Sequence, residues 1–513
     1  EVMTEEDVSR MKSEIWEFYN KEYESSKTFV PAHQLGRRIF TIPEGFVPHA
    51  TIAKIMKQRL AAVEGPQHEK SLDFGAAENL AYATLLSDGF HVRLAGQDAQ
   101  RGTFSHRHAV LHDQAVEAQH CIFDGLKDLN LPHCITVCNS PLSEYAALGY
   151  EFGYSMEHPD TVAIWEAQFG DFSNGAQIII DQFVVSAEVK WNRQNGLVML
   201  LPHGYDGQGP EHSSARIERF LQLCDDREDV IHEENWELSR SSVIQQHNIQ
   251  LGADLTSSCS FRGLRYVVVP TVPANIFHVL RRQVHRAFRK PLVVFSPKRM
   301  LRLRQAMSSL EDIMEGTRFR RYIPDELIGD PLRVERLILC CGQIYYDLLS
   351  ERERIQSENN DPDNPGNRVA LARVEQLSPF PFDLAIRDIQ RYPNLRSVVW
   401  AQEEPMNQGA WGYTSKRIES CLRHLGHPNK IERPVYVGRD VSATTAVGDK
   451  GLHDKELLQL LLDAFNLECT DNSYLSKYLS RRVQAEQQQQ QQKQKRKQQR
   501  QQQQEQELLQ RQE

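Results

Sequence analysis

Metal-type cysteine pairs, long apolar runs and an excess of positive charge are all missing from this sequence, and each absence removes a class of function. Nine cysteines occur in 513 residues, singly or as the adjacent Cys340 and Cys341. Cys134 and Cys138 form only a loose CxxxC, which lacks zinc-ligand spacing; the usage suits a reducing compartment. No apolar run approaches the ~20 residues that cross a bilayer, so the sequence predicts a soluble chain without membrane insertion. A formal net charge of −9 gives no general pull toward nucleic acid, and basic stretches such as "RRQVHRAFRK" sit among acidic ones. Glu1 stands first, with no signal or transit pattern after it, which reads as a fragment or a processed form.

What is present is a globular pattern with a polar tail. Residues 4 to 26 have helical spacing with an acidic face, and a second helical stretch follows at 50 to 63; residues 1–69 read as a helical connector. From about residue 70, apolar strands alternate with amphipathic helices: "GLVMLLP" (196 to 202), "LRYVVVP" (264 to 270) before "ANIFHVLRRQVHRAF", then "KPLVVFSP". That alternation predicts an α/β fold with a largely parallel sheet, its strands apolar on both faces. A second set follows a linker near 315 to 332: "RLILCCG" before "QIYYDLLSERER", "VALARVEQL" before "PFDLAIRDIQRY", then "LRSVVWAQEEP" and "RPVYVGRD". The expected units are residues 70–315, with a polar insert at 225–262, and a smaller α/β unit at 330–470. The loop at 357 to 368 is polar. The glutamine-rich stretch 483–513 cannot bury a core and is expected to be disordered.

Four constellations could carry chemistry. "NSPLSEYAALGYEFGYSM" (139 to 156) reads as a helix that Ser140 can cap, with Pro141 at its first position. Glu144 falls in its first turn, where the helix dipole favours a carboxylate whether or not it is catalytic. "RGTFSHRHAVLHDQ" holds His106, His108 and His112, either loop histidines or ligand contacts; no carboxylate or thiolate completes a metal set at obvious spacing. "PHGYDGQGPEHSSAR" brings His203, His212, Ser213 and Arg216 onto a glycine-rich turn suited to anions. "WEAQFGDFSNGAQIIIDQF" supplies Phe169 and Phe172, which by default are core aromatics.

Together with "HVLRRQVHRAFRKPLVVFSPK", "VEQLSPFPFD" and "QEEPMNQGAW", these segments closely resemble the thiamine-dependent first component of the 2-oxoglutarate dehydrogenase complex. The motifs stand in family order across roughly residues 70 to 460. The resemblance implies a transketolase-like pyrimidine-binding domain followed by a smaller α/β C-terminal domain. It implies thiamine diphosphate as cofactor, its aminopyrimidine stacked on Phe169 and Phe172, and a ring nitrogen met by the glutamate of "LSE", here Glu144. It implies decarboxylation of a 2-oxo acid, with His106, His108, His203 and His212 as candidate donors to substrate charge, and acyl transfer to a lipoyl group. The implied partners are a second copy in a homodimer, the dihydrolipoamide succinyltransferase core and dihydrolipoamide dehydrogenase; the implied location is the mitochondrial matrix. The "GDG" and later asparagine by which the family holds Mg2+ and the diphosphate are not in these residues, so no metal ligand is assigned. Two alternatives stand beside this reading: 2-oxoadipate dehydrogenase, and a truncated non-catalytic paralogue that pairs with full-length subunits.

Overall fold

The computed structural model describes residues 4–26, 72–113, 115–124, 134–229, 231, 266–286, 288–314, 316–358 and 364–467. The expectations for residues 50–63, for most of the 225–262 insert, for the middle of the 357–368 loop and for the tail lie outside the described residues. Helix α1, Glu5–Ser26, carries the acids Glu5, Glu6 and Asp7 in its first turn, where they complement the helix dipole. Among the described residues no helix is long and apolar enough to cross a membrane.

The first sheet has seven strands in the order β12-β7-β8-β6-β5-β1-β4. These are β1 (His91–Gly96), β4 (Ile135–Asn139), β5 (Thr161–Glu166), β6 (Val198–Pro202), β7 (Tyr266–Val268), β8 (Leu292–Ser296) and β12 (Gln376–Ser378); β2 (Val110–His112) and β3 (Gln119–Cys121) form a separate hairpin. All neighbours in the sheet are parallel except β12, which runs antiparallel to β7. Alternate side chains serve opposite faces. Val162 and Ile164 of β5 join Leu80 and Leu85 of α2 (Phe74–Ser87) and Phe277 and Leu280 of α5 (Pro273–His285). Ala163 and Trp165 join Leu148 and Phe152 of α3 (Glu144–Ser155) and Ile217 of the short α4 (Ile217–Gln222). Burial on both faces is what a parallel sheet between helix layers requires, and it accounts for the continuous apolar strands of the sequence.

The second sheet has the order β14-β13-β10-β11-β9, built from β9 (Tyr322–Ile323), β10 (Arg336–Cys340), β11 (Val369–Val374), β13 (Ser397–Pro405) and β14 (Val435–Arg439). Helices α6 (Ile344–Glu358), α7 (Phe382–Gln390), α8 (Trp411–Leu425) and α9 (Lys450–Phe465) cover it. "VALARVEQL" does not form one strand. Its first part is β11 of the second sheet; its last residues cross over as β12 and extend the first sheet. Glu375, between them, is fully buried and accepts from Thr271 N at 2.8 Å and Asn275 Nδ2 at 2.8 Å, so the crossing point is tied to the loop before α5 and to the first turn of that helix.

Candidate active site

The carboxyl ends of β1, β5 and β6 bring most of the sequence-predicted residues together, as parallel sheets usually do with ligand-binding groups. Glu144 is the first residue of α3. Its cap is Ser143, whose hydroxyl accepts from Ala146 N at 3.3 Å. The expected cap Ser140 lies outside the helix, which begins only at Glu144, and donates to Pro141 O instead. Gln97 Nε2, just past β1, donates to Glu144 Oε1 at 3.2 Å.

After β5 the chain passes through a 3-10 turn, Gly170–Ala176, and then a five-residue π-helix, Ile180–Val184, a form that often accompanies functional sites. The turn starts after Phe169 and sets Phe169 and Phe172 edge to face, centroids 5.9 Å apart, with Phe104 edge-on to Phe169 at 5.4 Å. It also brings Gly175 against the Glu144 carboxylate: a Cβ there would stand 3.2 Å from Glu144 Oε2. At Gly170 a Cβ would fall 2.4 Å from Ala215 Cβ, so glycine is what lets this turn touch the 203–216 loop.

The four candidate histidines have different surroundings. His212 lies edge-on to Phe169 with centroids 4.3 Å apart and 5.9 Å from Phe172, its side chain 34% exposed. Its carbonyl accepts from Lys298 Nζ at 2.5 Å. His203 is buried. Its Nε2 bonds Glu404 Oε1 at 2.9 Å and its Nδ1 accepts from Ala215 N at 3.1 Å, so the proton sits on Nε2 and neither nitrogen is free for a ligand. This departs from the expectation of His203 as a donor to substrate. Burial lowers its affinity for a proton, but the Glu404 bond and the charges of Glu404 and Glu403 together outweigh this and hold it above the ordinary imidazole value.

His106 is pushed below the ordinary imidazole value by burial and by Arg107, whose Nη2 faces its Nε2 at 3.4 Å. Its Nδ1 has no partner among the described residues, and the ring lines a cavity of ≈ 20 Å³, room for one water. His108 is exposed, at φ 47°, and donates from Nε2 to Ser105 O at 2.9 Å. Among the described residues no group of three or more His, Cys, Asp or Glu could hold a metal ion.

Four buried groups escaped the sequence reading. Arg107, fully buried, bonds Glu78 of α2 at 2.5 Å and Glu166 at the end of β5 at 2.6 Å, and so joins helix, sheet and the histidine loop. Asp171 Oδ1 accepts from Ser213 N at 3.2 Å and Ser214 N at 3.1 Å, tying the FGDF turn to the residues after His212. Only a residue's place in the fold reveals such roles; the quoted motif held Asp171, but nothing in it marked the bond. Chemically, the site offers aromatic edges, one carboxylate at a helix start and one half-exposed imidazole.

Residues 70–304 match the transketolase pyrimidine-binding domain, and residues 307–465 match the 2-oxoglutarate dehydrogenase C-terminal domain. Among curated proteins, the chain is 45% identical over 428 residues to a mitochondrial 2-oxoglutarate dehydrogenase of Caenorhabditis briggsae, covering 83% of this chain and 38% of that protein. It is 42% identical over 504 residues to the mitochondrial enzyme of Dictyostelium discoideum, covering 90% of this chain and 46% of the relative. It is 43% identical over 456 residues to the 2-oxoglutarate dehydrogenase E1 component of Cupriavidus necator, with 87% and 42% covered. The chain thus spans less than half the length of these relatives. With the two matched domains in the order of the two sheets and together accounting for most of its length, it belongs to the 2-oxoglutarate dehydrogenase family.

Proposed function

We propose that this chain supplies the pyrimidine-binding half of a thiamine-diphosphate-dependent 2-oxoglutarate dehydrogenase, which decarboxylates 2-oxoglutarate and passes the succinyl group to a lipoyl group of an acyltransferase partner. The observation that carries the reading is the juxtaposition of Phe169, Phe172 and the Glu144 carboxylate across Gly175, at the end of β5. Those groups fit a flat heterocycle with a basic ring nitrogen. The rings offer apolar edges, Gly175 keeps the approach to Glu144 open, and Gln97 orients the carboxylate. Thiamine diphosphate, when bound, supplies the electron sink that loss of carbon dioxide from a 2-oxo acid requires.

The chain's own residues have separate tasks. Glu144 would hold a proton at the pyrimidine ring nitrogen. Phe169 and Phe172 orient the ring and keep water from its face. His212, the candidate histidine presented to the aromatic pair, donates to developing charge on the substrate carbonyl. Mg2+ and the diphosphate are assigned to residues outside the described ones, in the full-length protein or a partner subunit of a homodimer.

The test is an artificial-electron-acceptor assay on the full-length protein with 2-oxoglutarate and 2-oxoadipate. Turnover of 2-oxoglutarate is expected, and His212→Ala is expected to lower its kcat/KM by about 10²-fold, the scale of one general acid, with thiamine diphosphate affinity nearly unchanged. Preference for 2-oxoadipate would overturn the substrate assignment, and stoichiometric zinc on His106 and His108 would overturn the site.

A further inference from the structure

The loop that presents His212 is held from behind by the second domain. In that domain's sheet the chain goes from β10 outward to β11, then returns to the other side of β10 as β13. Parallel sheets take ligands in the crevice at such a reversal. Here the first domain's own loop fills it. Gln343 Nε2, past the end of β10, donates to Tyr205 O at 3.2 Å, and Tyr205 N donates to Glu403 Oε2 at 3.4 Å. A Cβ on Gly204 would stand 2.6 Å from Gln343 Oε1.

The three amides that follow His212 are all held by side chains. Asp171 Oδ1 takes Ser213 N and Ser214 N; His203 Nδ1 takes Ala215 N. That third bond exists only while His203 keeps its proton on Nε2, since the other tautomer would set N–H against N–H. Glu404 Oε1, 2.9 Å from Nε2, selects the tautomer. We propose that Glu404 is a positioning residue: from the second domain it fixes the His203 ring, whose Nδ1 then anchors Ala215 and aims the His212 imidazole at Phe169. The anchoring stands on geometry alone; its catalytic consequence rests on the function proposed above.

The experiment compares Glu404→Ala, Glu404→Gln, His203→Ala and the Glu404→Ala/His203→Ala double variant in the full-length protein. It reads kcat for 2-oxoglutarate, thiamine diphosphate affinity, and the rate of trypsin cleavage after Arg216. Glu404→Ala is expected to lower kcat about tenfold or more and to speed Arg216 cleavage, with cofactor affinity within about threefold of the parent. Glu404→Gln restores most of both, because its amide oxygen still accepts from Nε2. The double variant is no worse than His203→Ala, since both act through one bond. Additive losses, a Gln variant no better than Ala, or unchanged cleavage would each overturn the proposal. Should Glu404→Ala fail to fold, Glu404→Asp, with the charge withdrawn by one methylene, takes its place with the same expectations. If the parent protein does not turn over 2-oxoglutarate while cleavage follows the expected order, the anchoring stands and the proposed function fails.

Discussion

Each domain of this protein buries a carboxylate pair beside its sheet, and the two pairs are treated in opposite ways. In the first, Glu78 and Glu166 close on the Arg107 guanidinium, which also donates to Ala99 O at 2.8 Å. Burial alone would raise Glu78, but Arg107 and His106 outweigh it and hold the carboxyl below its ordinary range. In the second, Glu403 and Glu404 sit side by side at the end of β13, and among the described residues neither carboxylate has an ion pair to lysine or arginine. Their partners are His203, Gln343 and the Tyr205 amide. Burial and the neighbouring Glu404 accordingly push Glu403 up to about 7. One pair is a fixed ionic pillar under the histidine loop; the other is a proton-holding latch between two domains. The contrast shows that equal burial does not give acids equal roles: the compensating charge decides.

Breaking the pillar gives the largest expected effect. Arg107→Met leaves two buried carboxylates without their cation, which costs about 3–5 kcal/mol; chemical denaturation of the full-length protein should show that loss. Arg107→Lys sharpens the point, because the three donors of an ammonium cannot replace the guanidinium's paired bonds to both acids and its bond to Ala99 O, and so restore only part of the stability. A loss below about 1 kcal/mol in the Met variant would show that the cluster is not a pillar.

The latch predicts a smaller change with a sign set by pH. An unfolded glutamate titrates near ~4.3, whereas folded Glu403 keeps its proton up to about 7. The folded state therefore binds more protons in that window, and its stability falls as pH rises from about 4.3 to 7, then levels off. Glu403→Gln keeps the acceptor for Tyr205 N and Gln343 but removes the titration. The variant should gain on the parent on the order of 1–3 kcal/mol at pH 8 and much less at pH 5. An equal difference at both pH values would contradict the latch.

Much of this was legible in the sequence, and the gaps have a physical cause. The parallel sheet followed from strands apolar on both faces, and Glu144 fell in a first helical turn as its spacing implied. Local chemistry misled at the cap: Ser140 and Pro141 look like a helix start, yet Ser143 makes the capping bond. The π-helix after Phe172 has no simple residue signature. The two acid pairs were invisible because their partners are remote in sequence. Arg107 lies 29 residues from Glu78 and 59 from Glu166, and His203 lies 201 from Glu404. β12 escaped for the same reason, since nothing in "EQLS" says that it leaves one sheet for the other.

The central claim is that Glu144 holds the pyrimidine end of thiamine diphosphate. It is tested most directly by the rate of hydrogen–deuterium exchange at the thiazolium carbon of the bound cofactor, in the full-length protein and its Glu144→Gln variant. The account predicts slowing by at least about two orders of magnitude, with Phe169, Phe172 and His212 undisturbed. Near-normal exchange in the variant would contradict it.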